Sequence, residues 1–92
     1  MIWKLTEKPW REHKVRKLMF RIKNSDNGAE KTCGITDDAI NDYFETKMSA
    51  EDAEINFEKH QKMIINNAVT LIKNGKPNDQ GEYILNTKNF MK

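Results

Sequence analysis

The run from Ser49 to about Asn74 reads as one helix, and no other stretch limits the possible folds so tightly. Ser49 stands three residues before Asp52, the spacing at which a hydroxyl and a carboxylate satisfy free backbone N–H groups at a helix start, and Gly75 supplies a stop. Glu51, Asp52, Glu54 and Glu58 crowd its first half and Lys59, Lys62 and Lys73 its second, the polarity that complements a helix dipole. At ~1.5 Å per residue such a helix spans roughly 39 Å, whereas a compact chain of this length has a radius of gyration near ~12 Å. It must overhang its own domain or break.

Ala53, Phe57, His60, Ile64, Ala68 and Leu71 form one apolar stripe along this helix at steps of three and four, widened by Ile65, Val69 and Ile72. The stripe is broader after Met63, so the C-terminal half is expected to pack deep and the acidic N-terminal half to be the overhang. An overhanging amphipathic segment needs a partner. Phe57 and Ile64 are therefore the candidate contacts of a homo-oligomer, most simply a homodimer.

Upstream, Leu18, Phe20 and Ile22 alternate with Lys17, Met19, Arg21 and Lys23, the two-residue period of a strand with one buried side. Asn27-Gly28 follows, the dipeptide of a two-residue type I′ hairpin turn. That turn sets Ile22 opposite Cys33 and Phe20 opposite Ile35 within a hairpin of residues 15–24 and 29–35, unless Ser25 or Asp26 joins a longer loop. Thr36 reads as the N-cap of a short helix with Asp37 and Asp38 in its first turn and Ala39, Ile40, Tyr43 and Phe44 at helical spacing, ending near Thr46. Lys47 and Met48 lead into Ser49, so the two helices turn against each other. After the turn-forming residues Pro77 to Gly81, the segment from Glu82 to about Thr87 has room for a third strand with Tyr83 and Leu85 on one side.

With 92 residues and 37% hydrophobic content the chain can bury only a modest core, so one domain over residues 1–92 is expected, with 1–14 a possible basic arm. No apolar run approaches the ~18 residues of a membrane span, so no membrane partner is expected. Lys4, Lys8 and Arg11 interrupt Ile2, Trp3 and Leu5, unlike a secretory signal, and the lone Cys33 cannot form an intrachain disulfide. A cytoplasmic location is the expectation.

The net charge of +2 is unevenly placed: residues 1–24 carry eight Lys/Arg against two acids, 25–62 four against ten, and 63–92 four against two. Arg16, Lys17, Arg21 and Lys23, near Trp3 and Trp10, are the candidate nucleic-acid-binding residues, a basic surface with aromatics for phosphate contact and base stacking. Within that strand Lys17, Arg21 and Lys23 share the outward face and Arg16 lies opposite. The plainer reading makes them the solvated face of a strand plus an arm, and the acidic run from Asp37 to Glu58 works against a polyanionic partner.

Chemistry is thinly represented. Ser49 is explained as a cap and Ser25 sits in a turn, so no serine has a base beside it. His13, His60 and Cys33 lack metal-ligand spacing, Cys33 shares the inward strand face with Ile35, and His60 lies on the apolar helix stripe. Gly28, Gly34, Gly75 and Gly81 are scattered rather than grouped into a phosphate-cradling loop. No catalytic residue, cofactor or metal is expected, and the chain reads as a non-enzyme.

The order of these elements resembles a family of short bacterial proteins classed as domain of unknown function 1488. The resemblance runs through Val15 to Phe20, then Cys33-Gly34-Ile35-Thr36 with Ala39, Ile40 and Phe44, and resumes at Phe57, Ile64 and Ala68. It closes with Gly81-Glu82-Tyr83-Ile84-Leu85 and Asn89-Phe90. Where the family pattern usually has a serine cap after the cysteine strand, Thr36 keeps the hydroxyl. The resemblance implies a shared α+β fold and carries no catalytic signature. The expected architecture is α+β, a small antiparallel sheet of about three strands with two helices on one face, the second helix long. The expected function is a non-enzymatic binding or interaction module that self-associates, with a small nucleic-acid-binding regulator as the alternative.

Overall fold

The long helical segment breaks. In the computed structural model, which describes residues 3–12, 14, 16–47 and 49–90, an α-helix α2 covers Ala50–Lys59 and a second, α3, covers Gln61–Asn74. His60 leaves helical geometry between them (φ −119°, ψ 29°), although its N–H still donates to Asn56 O and its own carbonyl accepts from Ile64, each at 3.0 Å. The expected overhang is corrected by this break. It lets α2 pack on the preceding helix α1 (Asp37–Tyr43) while α3 packs against the sheet, within a molecule measuring 38 × 25 × 24 Å. Both ends of the segment obey the sequence: Ser49 Oγ accepts from Asp52 N at 3.0 Å, and Gly75 closes α3 with a left-handed φ of 68°. Thr36 likewise caps α1, accepting from Ala39 N at 3.1 Å.

Among the described residues, five strands form one sheet: β1 (Trp3–Leu5), β2 (Trp10–Glu12), β3 (Lys17–Asn24), β4 (Glu30–Thr36) and β5 (Tyr83–Leu85). The sheet is larger than the three strands expected and is mixed. β1, β2 and β4 run antiparallel to β3, and β5 runs parallel to β4. Parallel pairing follows from connectivity, because the three helices lie between β4 and β5 and serve as the crossover such a pair needs. What reads as a basic arm is the sheet edge. β1 and β2 act as one strand interrupted at residues 6–9, which lie opposite only Phe20 and Arg21, and Pro9 falls in that bulge, where no ladder N–H is needed. The expected strand start at Val15, the linker residue Met48 and His13 lie outside the described residues.

The β3–β4 hairpin keeps the expected faces but not the expected register. Phe20 faces Cys33, Leu18 faces Ile35 and Ile22 faces Lys31, a slip of two residues toward the longer loop. A type I′ turn needs positive φ at both central residues, and only Gly28 has it (φ 74°). The loop instead spans Ser25 to Gly28, closed by Asn24 N donating to Ala29 O at 2.8 Å. Asn24 Oδ1 accepts from Asp26 N at 2.8 Å and Asn27 Oδ1 from Ala29 N at 2.9 Å, so two asparagine side chains satisfy the loop backbone. An even slip leaves every side chain on its original face.

The core lies between the sheet and the helices. Leu18, Phe20, Ile22, Cys33 and Ile35 supply the sheet side, and Ile40, Ala53, Phe57, Ile64 and Ala68 the helix side. Phe20 and Phe57 meet edge to face with ring centroids 5.1 Å apart. At the α1–α2 corner a buried polar clip replaces apolar packing: Asn41 Nδ2 donates to Ser49 O (2.9 Å), Thr46 Oγ1 donates to Asn41 Oδ1 (3.0 Å), and Asn56 Nδ2 donates to Thr46 Oγ1 (2.8 Å). No helix among the described residues is long and apolar enough to cross a membrane.

Candidate functional site

Strand alternation carries Lys17, Arg21 and Lys23 to the helix-free face of the sheet, as expected, together with Lys4 from β1 and Trp10 from β2. Arg16 is set apart. It occupies a left-handed turn (φ 49°) before β3, and its Nε lies 3.8 Å from the buried carboxylate of Asp37. On the open face Arg21 holds its guanidinium carbon 5.7 Å from the Trp10 ring centroid and its Nη1 3.5 Å from Glu7. Lys17 Nζ reaches Glu82 at 4.0 Å. Glu12 and Glu30 share this face by register, so the cations Lys4, Lys17, Arg21 and Lys23 stand among the acids Glu7, Glu12, Glu30 and Glu82.

Through the middle of that face runs an apolar row, one residue from each strand column: Trp10, Met19, Gly34 and Ile84. Met19 is 1% exposed although it lies on the face opposite the core residues Leu18 and Phe20. Gly34 explains how the row closes, because a Cβ there would lie 2.7 Å from Met19 Sδ and 2.9 Å from Ile84 Cδ1. The two neighbours occupy the space a side chain would need.

Phe57 and Ile64 are not on the surface. They are 3% and 0% exposed, held in the chain's own core, so an interface built on them would require opening the fold. The reason is the break at His60, after which both halves of the stripe face the sheet. Among the described residues, the larger hydrophobic side chains left exposed are Tyr43 and Ile55.

Arg11 is the residue that sequence reasoning placed wrongly, as part of a loose arm. It lies on the helix side of β2 and gathers three elements. Its Nη1 donates to both carboxylate oxygens of Asp37 (3.1 and 2.8 Å), its Nε to Glu54 (2.8 Å) and its Nη2 to the carbonyl of Ala50 (3.2 Å). Burial opposes the charge, but these bonds to Asp37 and Glu54 outweigh it and raise the Arg11 pKa. Strand alternation through Trp3-Lys4-Leu5 and Trp10-Arg11-Glu12 is the signal that shows Arg11 facing inward. Beside it, a half-open cleft of about 570 Å³ lies between the edge bulge and α2, with Lys8, Glu58 and Gln61 on its walls and Leu18 and Phe57 on its floor.

Cys33 and His60 are both taken up in packing. Cys33 is fully buried, and burial pushes its thiol up to about 12, only weakly opposed by Lys31. The His60 ring stacks on Phe44 at 4.0 Å and 10°. Among the described residues no cluster of three or more His, Cys, Asp or Glu side chains has the geometry to hold a metal.

These features define a class, a two-layer α+β domain with a mixed five-stranded sheet covered by helices on one face. The chain belongs to the family described as protein of unknown function (DUF1488), whose model matches residues 7–85. The crystal structure of a protein of unknown function of that family from Shewanella loihica PV-4 is similar over 90% of each chain, with a TM-score of 0.76 at 20% identity. At that identity the likeness establishes the fold. No curated protein matches the chain.

Proposed function

We propose that this protein is a non-enzymatic interaction module that self-associates. The observation that carries the reading is the charge balance of the helix-free face, where Lys4, Lys17, Arg21 and Lys23 are matched by Glu7, Glu12, Glu30 and Glu82 around an apolar row. A balanced surface is complementary to itself, whereas a polyanion requires a net positive one. The non-enzymatic part is supported by the burial of Cys33, the stacking of His60 on Phe44 and the use of Thr36 and Ser49 as helix caps. A cytoplasmic site of action fits a single buried thiol.

The test is mass by light scattering across a concentration series. Two copies of the 10.8 kDa chain are expected together at high concentration, and a mass of one chain throughout overturns the reading. Nucleic-acid binding is the second reading, favoured by Arg21 lying over Trp10 with Lys17 and Lys23 on the same face. It requires retention of single- or double-stranded DNA or RNA at low salt, with affinity falling steeply as salt rises.

A further inference from the structure

We propose that two copies of this chain pair through the helix-free faces of their sheets, about a two-fold axis that runs parallel to the strands and between β3 and β4. The inference rests on the self-association reading and names its surface. The sheet has four columns, with β1 and β2 sharing the first and β3, β4 and β5 following. The axis lays β3 of each copy over β4 of the other, and the β1–β2 edge over β5.

Register then dictates what meets what. The row Trp10, Met19, Gly34, Ile84 falls on its own reverse, so Trp10 of one copy faces Ile84 of the second, and Met19 comes over Gly34, whose space Met19 and Ile84 of its own chain already fill, so the two rows meet as level surfaces. Lys23 lies over Glu30 of the second copy, Arg21 over Thr32 and Lys17 over Thr36, because these residues are cross-strand partners within one chain. No like charges oppose each other along the two central columns, and the one like pair falls at the outer columns, where Glu7 in the edge bulge comes level with Glu82 before β5. A two-fold axis across the strands, by contrast, would set Lys23 against Lys17, so complementarity selects the orientation.

The strands set the size: β3 contributes eight residues, β4 seven and β1, β2 and β5 three each, which at ~4.8 Å by ~3.4 Å per residue give roughly 390 Å² in projection before side-chain relief and the edge bulge are added, against the ~800 Å² per partner of ordinary stable complexes. Sheets stacked this way rotate by about 30° relative to one another, which preserves contacts near the axis and moves those at the corners. Met19, Gly34, Lys23 and Glu30 lie on the two columns beside the axis.

The deciding experiment uses charge exchange at two exposed positions, read by sedimentation equilibrium. Lys23→Glu alone sets two glutamates against Glu30 of the other copy, and Glu30→Lys alone sets two lysines against Lys23. Each is expected to weaken the dimer about tenfold, since every contact occurs twice. An equimolar mixture of the two variants restores opposite charges at both contacts and is expected to form a heterodimer of wild-type affinity. A mixture as weak as either variant overturns the proposed pairing. Trp10→Glu is the second variant, expected to give a folded monomer by circular dichroism; a folded Trp10→Glu dimer also overturns it. If the wild type is dimeric and none of these variants weakens it, this surface is wrong and the self-association reading stands. A wild type monomeric at every concentration removes both, and oligonucleotide binding by that monomer assigns the face to nucleic acid.

Discussion

On the helix-covered face of the sheet, Leu18, Phe20, Ile22, Cys33 and Ile35 are all buried to 4% exposure or less, while the same two strands turn Lys17, Arg21, Lys23, Glu30 and Thr32 outward around Met19. Both faces bury apolar atoms, by different means. On the covered face large side chains meet a second layer, as Phe20 meets Phe57. On the open face Met19 is covered within the layer itself, where the missing side chain of Gly34 lets Met19 and Ile84 close over that position. The first arrangement is complete within one chain. The second leaves Trp10 and Ile84 half-buried, so apolar surface remains on the sheet rather than on the helix stripe.

The largest effect that separates the two faces is expected from a buried charge. Phe57→Asp should abolish folding, because it removes the aromatic contact to Phe20 and strands a carboxylate in a core position 3% exposed, a loss beyond the ~3–5 kcal/mol of truncating such an aromatic to alanine. Ile84→Asp on the open face should leave a folded chain. Urea denaturation followed by circular dichroism measures both, and a folded Phe57→Asp chain would mean that the helix layer is not the closed one.

Next in size comes the Arg11 hub, which ties the sheet edge to both α1 and α2. Arg11→Met leaves Asp37, 1% exposed, without the Nη1 that bonds both its oxygens, and should cost about 3–5 kcal/mol. The double variant Arg11→Met, Asp37→Asn should cost less than the sum of the two single changes, since removing both members of a buried pair avoids the stranded charge. Additive losses in a double-mutant cycle would show that the two side chains stabilise the fold independently.

Cys33 tests the closed face through pH. Its thiol is raised from 9.0 to about 12 by burial, so between those values the unfolded chain loses a proton that the folded chain keeps. Stability from this group is complete below pH 9 and declines toward 12, at a slope of at most about 1.4 kcal/mol per pH unit. Cys33→Ala should remove that component from the alkaline limb of a urea-midpoint profile, and the wild-type thiol should react with a labelling reagent only after unfolding. Rapid labelling of the native protein would place Cys33 at a surface.

What was legible in the sequence divides along the same lines. Alternation in Leu18-Met19-Phe20-Arg21-Ile22, the caps at Thr36 and Ser49 and the stop at Gly75 are local signals, and each appears where the pattern puts it. The hairpin register was ambiguous because a two-residue slip changes no face, and the decision lay with the Asn24 and Asn27 side chains. The break at His60 carries no glycine or proline, and Phe57 and Ile64 keep nearly the same phase on either side, so periodicity alone reads straight through it. Met19 lies on the face its alternation gives it, and its burial there depends on what Gly34 lacks, which a single strand's alternation does not contain. Arg11 is placed wrongly only as long as residues 1–14 are read as an arm rather than as strands.

The smallest expected effect concerns the ion pairs of the open face in the monomer. Lys17 and Glu82 stand 4.0 Å apart, and Arg21 and Glu7 3.5 Å apart at partly exposed positions, so each pair should contribute no more than about 1 kcal/mol. Arg21→Ala should cost slightly more than Lys17→Ala, because Arg21 also lies over Trp10. Raising salt should erase most of the Lys17 effect through screening and leave part of the Arg21 effect, which is packing against an indole. The measurement is the urea midpoint of each variant at low and high ionic strength, below the concentration at which chains associate. If both variants lose stability equally and equally salt-dependently, Trp10 contributes nothing through Arg21, and the open face is held by charge alone.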